Sequence, residues 1–157
     1  MKKKYFLVII GLIIIAILLK IKPNNEGPNL PKEDDVESIS LINILDGRGI
    51  ERWTISDKDD IEKFLQNLED SKKTNKESVS DFPDRNNFIL VRFKMSDGGY
   101  IRNAIYEEYK KLYFEQAYVG IYELSYKDIY SLLESSVKEE DKENISEDFD
   151  YILDNNF

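Results

Sequence analysis

The sequence predicts an α+β domain: an antiparallel β meander of about five strands, one or two helices packed on a face, and an N-terminal transmembrane helix ahead of it. Three observations point there. An apolar run opens the chain, β-branched segments separated by glycine-bearing turns follow, and two stretches of helical periodicity lie among them.

Tyr5 to Leu19 is apolar except for Gly11, and Ile21 extends the run when the Lys20 ammonium reaches the headgroups. At about 1.5 Å per residue, roughly 17 residues cover about 25 Å, a little short of a hydrocarbon core of about 30 Å. The exit, Lys20-Ile21-Lys22-Pro23-Asn24, lacks the small residues that a signal peptidase reads, and a chain without cysteine has no lipoprotein route. Residues 1–22 are therefore read as an uncleaved, single-pass anchor with its N-terminus inside and the domain extracytoplasmic. Secretion after signal cleavage is the alternative. Residues 23–35 read as a linker, because Pro23 to Glu33 holds three prolines, one glycine and three asparagines with only Leu30 apolar.

Residues 36–137 form the expected folded part. Val36 to Ile44 is β-branched and partly alternating, Asp46-Gly47-Arg48-Gly49 supplies a turn, and Ile50 to Ile55 returns as a second strand. A helix is expected from Ser56, with Asp57, Asp59 and Asp60 at the positive end of its dipole. Ile61, Phe64, Leu65 and Leu68 then make one apolar stripe opposite Glu62, Lys63, Gln66 and Glu69. Phe88 to Met95, Tyr100 to Tyr106 and Lys111 to Tyr118 read as three further strands, the first two joined through Ser96-Asp97-Gly98-Gly99 and the next link running over Glu107 to Lys110. Val119 to Leu124 reads as a bent continuation beyond Gly120. Ser125 is the expected cap of a second helix carrying Ile129, Leu132 and Leu133, with Asp128 in its first turn.

Residues 138–157 contain eight acidic residues against two lysines and read as an acidic, largely disordered tail. Its apolar end, Phe149 to Leu153 with Phe157, suits a short helix from about Ile145 to Asp154, capped by Asn144. Such a segment either docks on its own domain or is recognised by another chain.

Composition excludes several function classes. With the five lysines of the anchor set aside, 17 of the 22 basic residues face 31 acidic ones, a formal charge of about −14. That surface repels phosphate, so no nucleic-acid partner is expected. Without histidine or cysteine, Ser-His-Asp and Cys-His catalysis and the ordinary zinc, copper and haem sites are closed to this chain, and no cofactor is expected. Carboxylate chemistry on Glu107, Glu108 and Glu115, or a Ser-Lys pair, is what remains. Asp57, Asp59 and Asp60 resemble the opening of a calcium loop, but the glycine and distal glutamate of an EF-hand are absent, and capping accounts for them. The Glu139-Glu140-Asp141 cluster reads as a solvated charge run.

Two segments carry a resemblance. Thr74-Asn75-Lys76-Glu77-Ser78-Val79-Ser80-Asp81-Phe82-Pro83 and, some thirty residues on, Tyr113-Phe114-Glu115-Gln116-Ala117-Tyr118-Val119-Gly120-Ile121-Tyr122 resemble the T-x-K-x-S-x-x-D-x-P and E-Q-x-Y-x-G-I patterns of an uncharacterised bacterial family. Its members are small secreted or membrane-anchored proteins bearing a domain of unknown function. Ala117 stands where that family's second pattern has proline. The likeness implies a fold and a location, and no catalytic residue.

In the first motif Ser78 and Asp81 are expected to bond nearby backbone in an Asx-type turn, with Pro83 stiffening the exit. In strand geometry Tyr113, Glu115 and Ala117 face one way, and Phe114, Gln116 and Tyr118 the other. Tyr113, Glu115, Gln116 and Tyr118 are the candidate ligand-facing residues, since rings beside hydrogen-bonding groups suit a glycan or peptide. The expectation is a non-catalytic, membrane-anchored binding or interaction module of the bacterial cell envelope, with a protein, peptide or glycan partner. A carboxylate-dependent enzyme on envelope glycans and an inhibitor or immunity-type protein for a basic target are the alternatives.

Overall fold

The structure is a computed structural model and describes residues 27–138 and 141–154. The expected anchor lies outside the described residues, among which no helix is long and apolar enough to cross a membrane.

The α+β class holds, with a sheet larger than the expected five strands. Eight strands form one sheet: β1 (Val36–Leu45), β2 (Arg48–Ile55), β3 (Lys72–Lys73), β4 (Asn87–Met95), β5 (Tyr100–Glu108), β6 (Lys111–Gln116), β7 (Gly120–Glu123) and β8 (Lys142–Asp148). Their order is β3-β7-β6-β5-β4-β1-β2-β8, and every pairing is antiparallel. Among the described residues the α-helices are α1 (Lys58–Glu69), α2 (Ile129–Ser136) and α3 (Phe149–Asp154).

Turn chemistry sets the register. Asp46 (φ 48°) and Gly47 (φ 77°) make the two-residue β1–β2 loop, and both take the positive φ that a primed turn demands. In the four-residue β4–β5 loop Gly98 takes φ 88° and the Asp97 carboxylate accepts from Gly99 N–H at 2.9 Å. The β5–β6 loop reaches the same geometry with Tyr109 (φ 51°) and Lys110 (φ 62°), two side chains disfavoured there. Beyond Gln116 the chain does not bend onward as one strand. It reverses through Ala117–Val119, with Tyr118 at φ 59°, and returns as β7 alongside β6.

Both faces of the sheet are buried, which the expected single helical layer did not anticipate. On the first face Ile39, Leu41, Trp53, Ile89, Val91, Phe93, Ile105 and Phe114 pack against Ile61, Phe64, Leu65 and Leu68 of α1 and Leu132 and Leu133 of α2. The α1 stripe is therefore the one read from the sequence. Its cap is Asp57, whose carboxylate accepts from Asp59 N–H and Asp60 N–H, one residue later than the Ser56 start. The cap of α2 likewise moves from Ser125 to Asp128, which forms a reciprocal box with Ser131. On the second face Ile42, Ile44, Phe88, Leu90, Ala104, Tyr106 and Tyr113 are covered by Phe82 from the 74–86 segment and by Ile145, Phe149, Ile152 and Leu153 of the C-terminal segment.

Within the acidic tail, residues 142–154 are strand and helix where disorder was expected. Residues 142–148 are strand and not the start of a helix, and the helix begins only at Phe149. The reason is long-range: Arg52 meets Glu143 at 3.5 Å and Glu147 at 3.0 Å, and Lys142 meets Glu51 at 2.8 Å. Tail charge that looks uncompensated in isolation is matched on the strand it joins.

Candidate functional site

The two motifs meet on the second face, at the end of the sheet away from β8. Thr74 anchors the first motif to the second: its N–H and its hydroxyl both donate to Ile121 O, at 2.9 and 2.8 Å, and its Oγ1 accepts from Lys76 N–H at 3.1 Å. Four residues on, Ser78 Oγ donates to Glu115 Oε1 at 2.8 Å and accepts from Tyr118 N–H at 3.3 Å. Ser78 and Glu115 are both nearly inaccessible, 8% and 6% exposed, so the hydroxyl compensates a carboxylate largely removed from water.

Between the 74–86 segment and the β5–β6 hairpin lies an open cleft of about 450 Å³, lined by Lys76, Pro83, Arg85, Tyr106, Glu108, Tyr109 and Glu115, among others. Lys76 and Arg85 both pair with Glu108. The Lys76 ammonium also sits 4.0 Å from the Tyr113 ring centroid, and the Arg85 guanidinium 5.6 Å from that of Tyr106. The hydrogen bond from Lys76, reinforced by both cations, holds the Glu108 carboxyl below the usual range. Burial, with the Glu115 and Glu108 carboxylates adding to it, raises the pKa of Tyr106, so its phenol stays protonated. The cleft is backed by the buried Tyr106 phenol and the capped Glu115 carboxylate, and it exposes the Tyr109 ring and a cation-carboxylate-cation rim.

The sequence-derived candidates separate. Tyr113 and Glu115 share the second face as expected, Tyr113 under Lys76 and Glu115 in the cleft wall. Gln116 points to the first face, where its amide clasps one peptide unit of the N-terminal segment: Oε1 accepts from Asn29 N–H at 2.7 Å and Nε2 donates to Asn29 O at 3.0 Å. That makes it an attachment point for the chain. Tyr118 is not on the strand at all but in the following turn, exposed, beside a second hollow of about 320 Å³ formed with residues 73–79. The neighbouring Asp81 carboxylate raises the pKa of its phenol.

The first-motif residues also need correction. Ser78 serves a long-range bond instead of a local turn, while the local turn is closed by Ser80 Oγ donating to Phe82 O at 2.6 Å. Pro83 is buried in the cleft wall and its carbonyl accepts from Arg85 N–H at 2.8 Å. Lys76, Arg85, Tyr106 and Tyr109 were missed as lining residues. The signal for Lys76 was its place inside the first motif; Tyr109 had none, since the link there reads as Glu107 to Lys110 and only the strand ends at Glu108 and Lys111 reduce it to a two-residue loop.

Fold and site together define an α+β sheet domain in which a motif-bearing loop is bonded across the β5–β6–β7 meander to form one cleft. Over residues 24–123 the chain matches DUF5301, described as a Domain of unknown function (DUF5300), and it belongs to that family. An NMR structure of a protein from Ruminococcus gnavus is similar to it, with 30% identity and a TM-score of 0.55, over 67% of this chain and 98% of that one. No curated protein matches.

Proposed function

We propose that the protein is a non-catalytic binding module of the bacterial cell envelope, tethered by its N-terminal segment and taking a peptide or glycan ligand in the cleft beside Tyr106 and Tyr109. The observation that carries the reading is the convergence of both motifs on this cleft, where Ser78, Glu115 and Thr74 fix its wall at hydrogen-bonding distance. Aromatic surface next to fixed donors and acceptors is what polar, partly apolar ligands require. The charge state of Glu108 removes it from the general-acid role that a glycosidase requires. A general acid needs a raised pKa, whereas Lys76 and Arg85 hold this carboxyl ionised.

The test is a thermal-shift screen with cell-wall oligosaccharides, muropeptides and cationic peptides, since a ligand bound only by the folded state raises Tm. At least one class is expected to raise Tm for the wild-type chain, with the shift diminished in Tyr109→Ala and Glu115→Gln. A screen in which none stabilises the protein, with empty pull-downs from membranes, overturns the reading.

A further inference from the structure

The matched family region ends at residue 123, upstream of α2, β8 and α3. The surface under the C-terminal segment therefore lies within the matched region, and the segment covering it lies beyond it. Its attachment is that of a peptide. β8 adds to the edge of β2 in antiparallel register, with Trp53 opposite Lys142, Arg52 opposite Glu143 and Arg48 opposite Asp148. Phe149 N–H then donates to Gly47 O at 3.0 Å, and the chain turns into α3 over the second face.

Three features select what sits there. Ile152 is fully buried above Gly49, where an added Cβ would come within 2.5 Å of the Ile152 Cδ1, so the strand is relieved of a side chain where the isoleucine enters. The Phe149 ring meets those of Phe82 and Phe88 edge-on at 5.0 and 5.6 Å. At the C-terminal end of α3 Arg92 donates to Ile152 O at 2.5 Å and Arg102 donates to Leu153 O at 2.8 Å, while Arg52 holds Glu147. Helix-end carbonyls and tail carboxylates are thus met by three guanidinium groups. Yet no residue of β8 is buried, and in α3 only Ile152 is. The occupant encloses Ile152 fully and Ile145, Phe149 and Leu153 in part, while its polar residues stay at the surface.

We propose that this edge and face is a docking surface for an acidic strand-helix segment of a partner protein, and that residues 142–154 are a resident occupant which the partner displaces. Strand addition supplies sequence-independent affinity, and the isoleucine slot, the aromatic contact and the guanidinium groups supply selectivity. A partner segment fits better than a second copy. At formal net charge −9 each copy brings its whole acidic domain to the encounter, whereas a segment brings only its own charge. The site is separate from the cleft, so either proposal can fail alone.

The probe is a labelled synthetic peptide of residues 141–154, titrated by fluorescence anisotropy against the full chain in detergent. The expected result is at least about tenfold tighter binding to Ile152→Asp, whose own segment is weakened, than to wild type. Adding Arg102→Glu to that variant should reverse the gain by a similar factor, each about 1.4 kcal/mol per tenfold. Equal, weak binding to wild type and Ile152→Asp, with both chains melting cooperatively, overturns the proposal. If Ile152→Asp does not fold, a chain with a specific protease site replacing residues 139 and 140 is cut and challenged with the probe. Exchange of the cut segment supports the proposal. Retention against excess probe, or collapse of the domain on losing the segment, overturns it. Sedimentation of wild type should show a monomer, and a dimer that exchanges these segments would overturn assignment to a foreign partner.

Discussion

Tyr109 and Lys110 occupy the left-handed region at both central positions of a two-residue loop, where asparagine and glycine are the favoured pair. The cost is on the order of 1 kcal/mol per residue, and Tyr109, 88% exposed, recovers none of it by burial. Replacing the pair by Asn-Gly should therefore raise stability by about 1 kcal/mol, read as a Tm increase of several degrees, while weakening any ligand stabilisation at the cleft. Glu108 gives a second test. Its folded-state pKa lies below the usual value, so its stabilising contribution is present above the unfolded value of about 4.3 and is lost as pH falls through the folded one. Thermal melts from pH 7 to pH 3 should fall more steeply at the acid end for wild type than for Glu108→Gln. Single residues were the least legible level of the sequence. Ser78 and Gln116 look like turn and strand polar residues, and only the partners Glu115 and Asn29, 37 and 87 positions away, give them their roles.

At the level of elements, α1 was legible because its four apolar residues recur at helical spacing and all four are buried. Its cap is directly testable. Asp57→Ala should cost about 1 kcal/mol in denaturant unfolding, and Ser56→Ala close to nothing. The two-residue β3 carries no periodic signal and is defined only by pairing with β7. In β4, Phe88-Ile89-Leu90-Val91 runs without alternation, which is the mark of a strand covered on both sides. That run announced the second layer, but what supplies the layer lay in a segment whose composition argued for disorder. Local composition weighs only local charge, and the Arg52, Arg92 and Arg102 side chains that receive the segment come from three different strands.

Across the whole molecule an acidic chain gathers a cationic patch under its C-terminal segment and buries one member of it. Arg92 is 1% exposed, and burial, together with the nearby Arg102 charge, lowers its pKa. Much of the compensating charge of the C-terminal segment sits at the solvent edge, as in Arg48–Asp148, where both side chains are more than half exposed. Such pairs screen readily, and at about 1 M salt the Debye length falls to about 3 Å. Hydrogen exchange in high salt should therefore accelerate in residues 142–154 while the amides of β4, central and covered on both faces, keep their protection. Uniform acceleration across both would show that the segment and the sheet open as one unit.

The Gln116 clasp on Asn29 also has a mechanical meaning. Tension entering along the N-terminal end of the chain meets that pair of amide hydrogen bonds before it reaches β1, because Leu30, packed on the core, and the 3-10 turn Glu33–Asp35, whose Asp35 O accepts from Ser96 N–H at 2.9 Å, lie between the clasp and Val36. A pull is therefore delivered first to β6, in the interior of the sheet, and the two bonds act as a fuse. They yield before the packed 3-10 turn and β1 are asked to bear load.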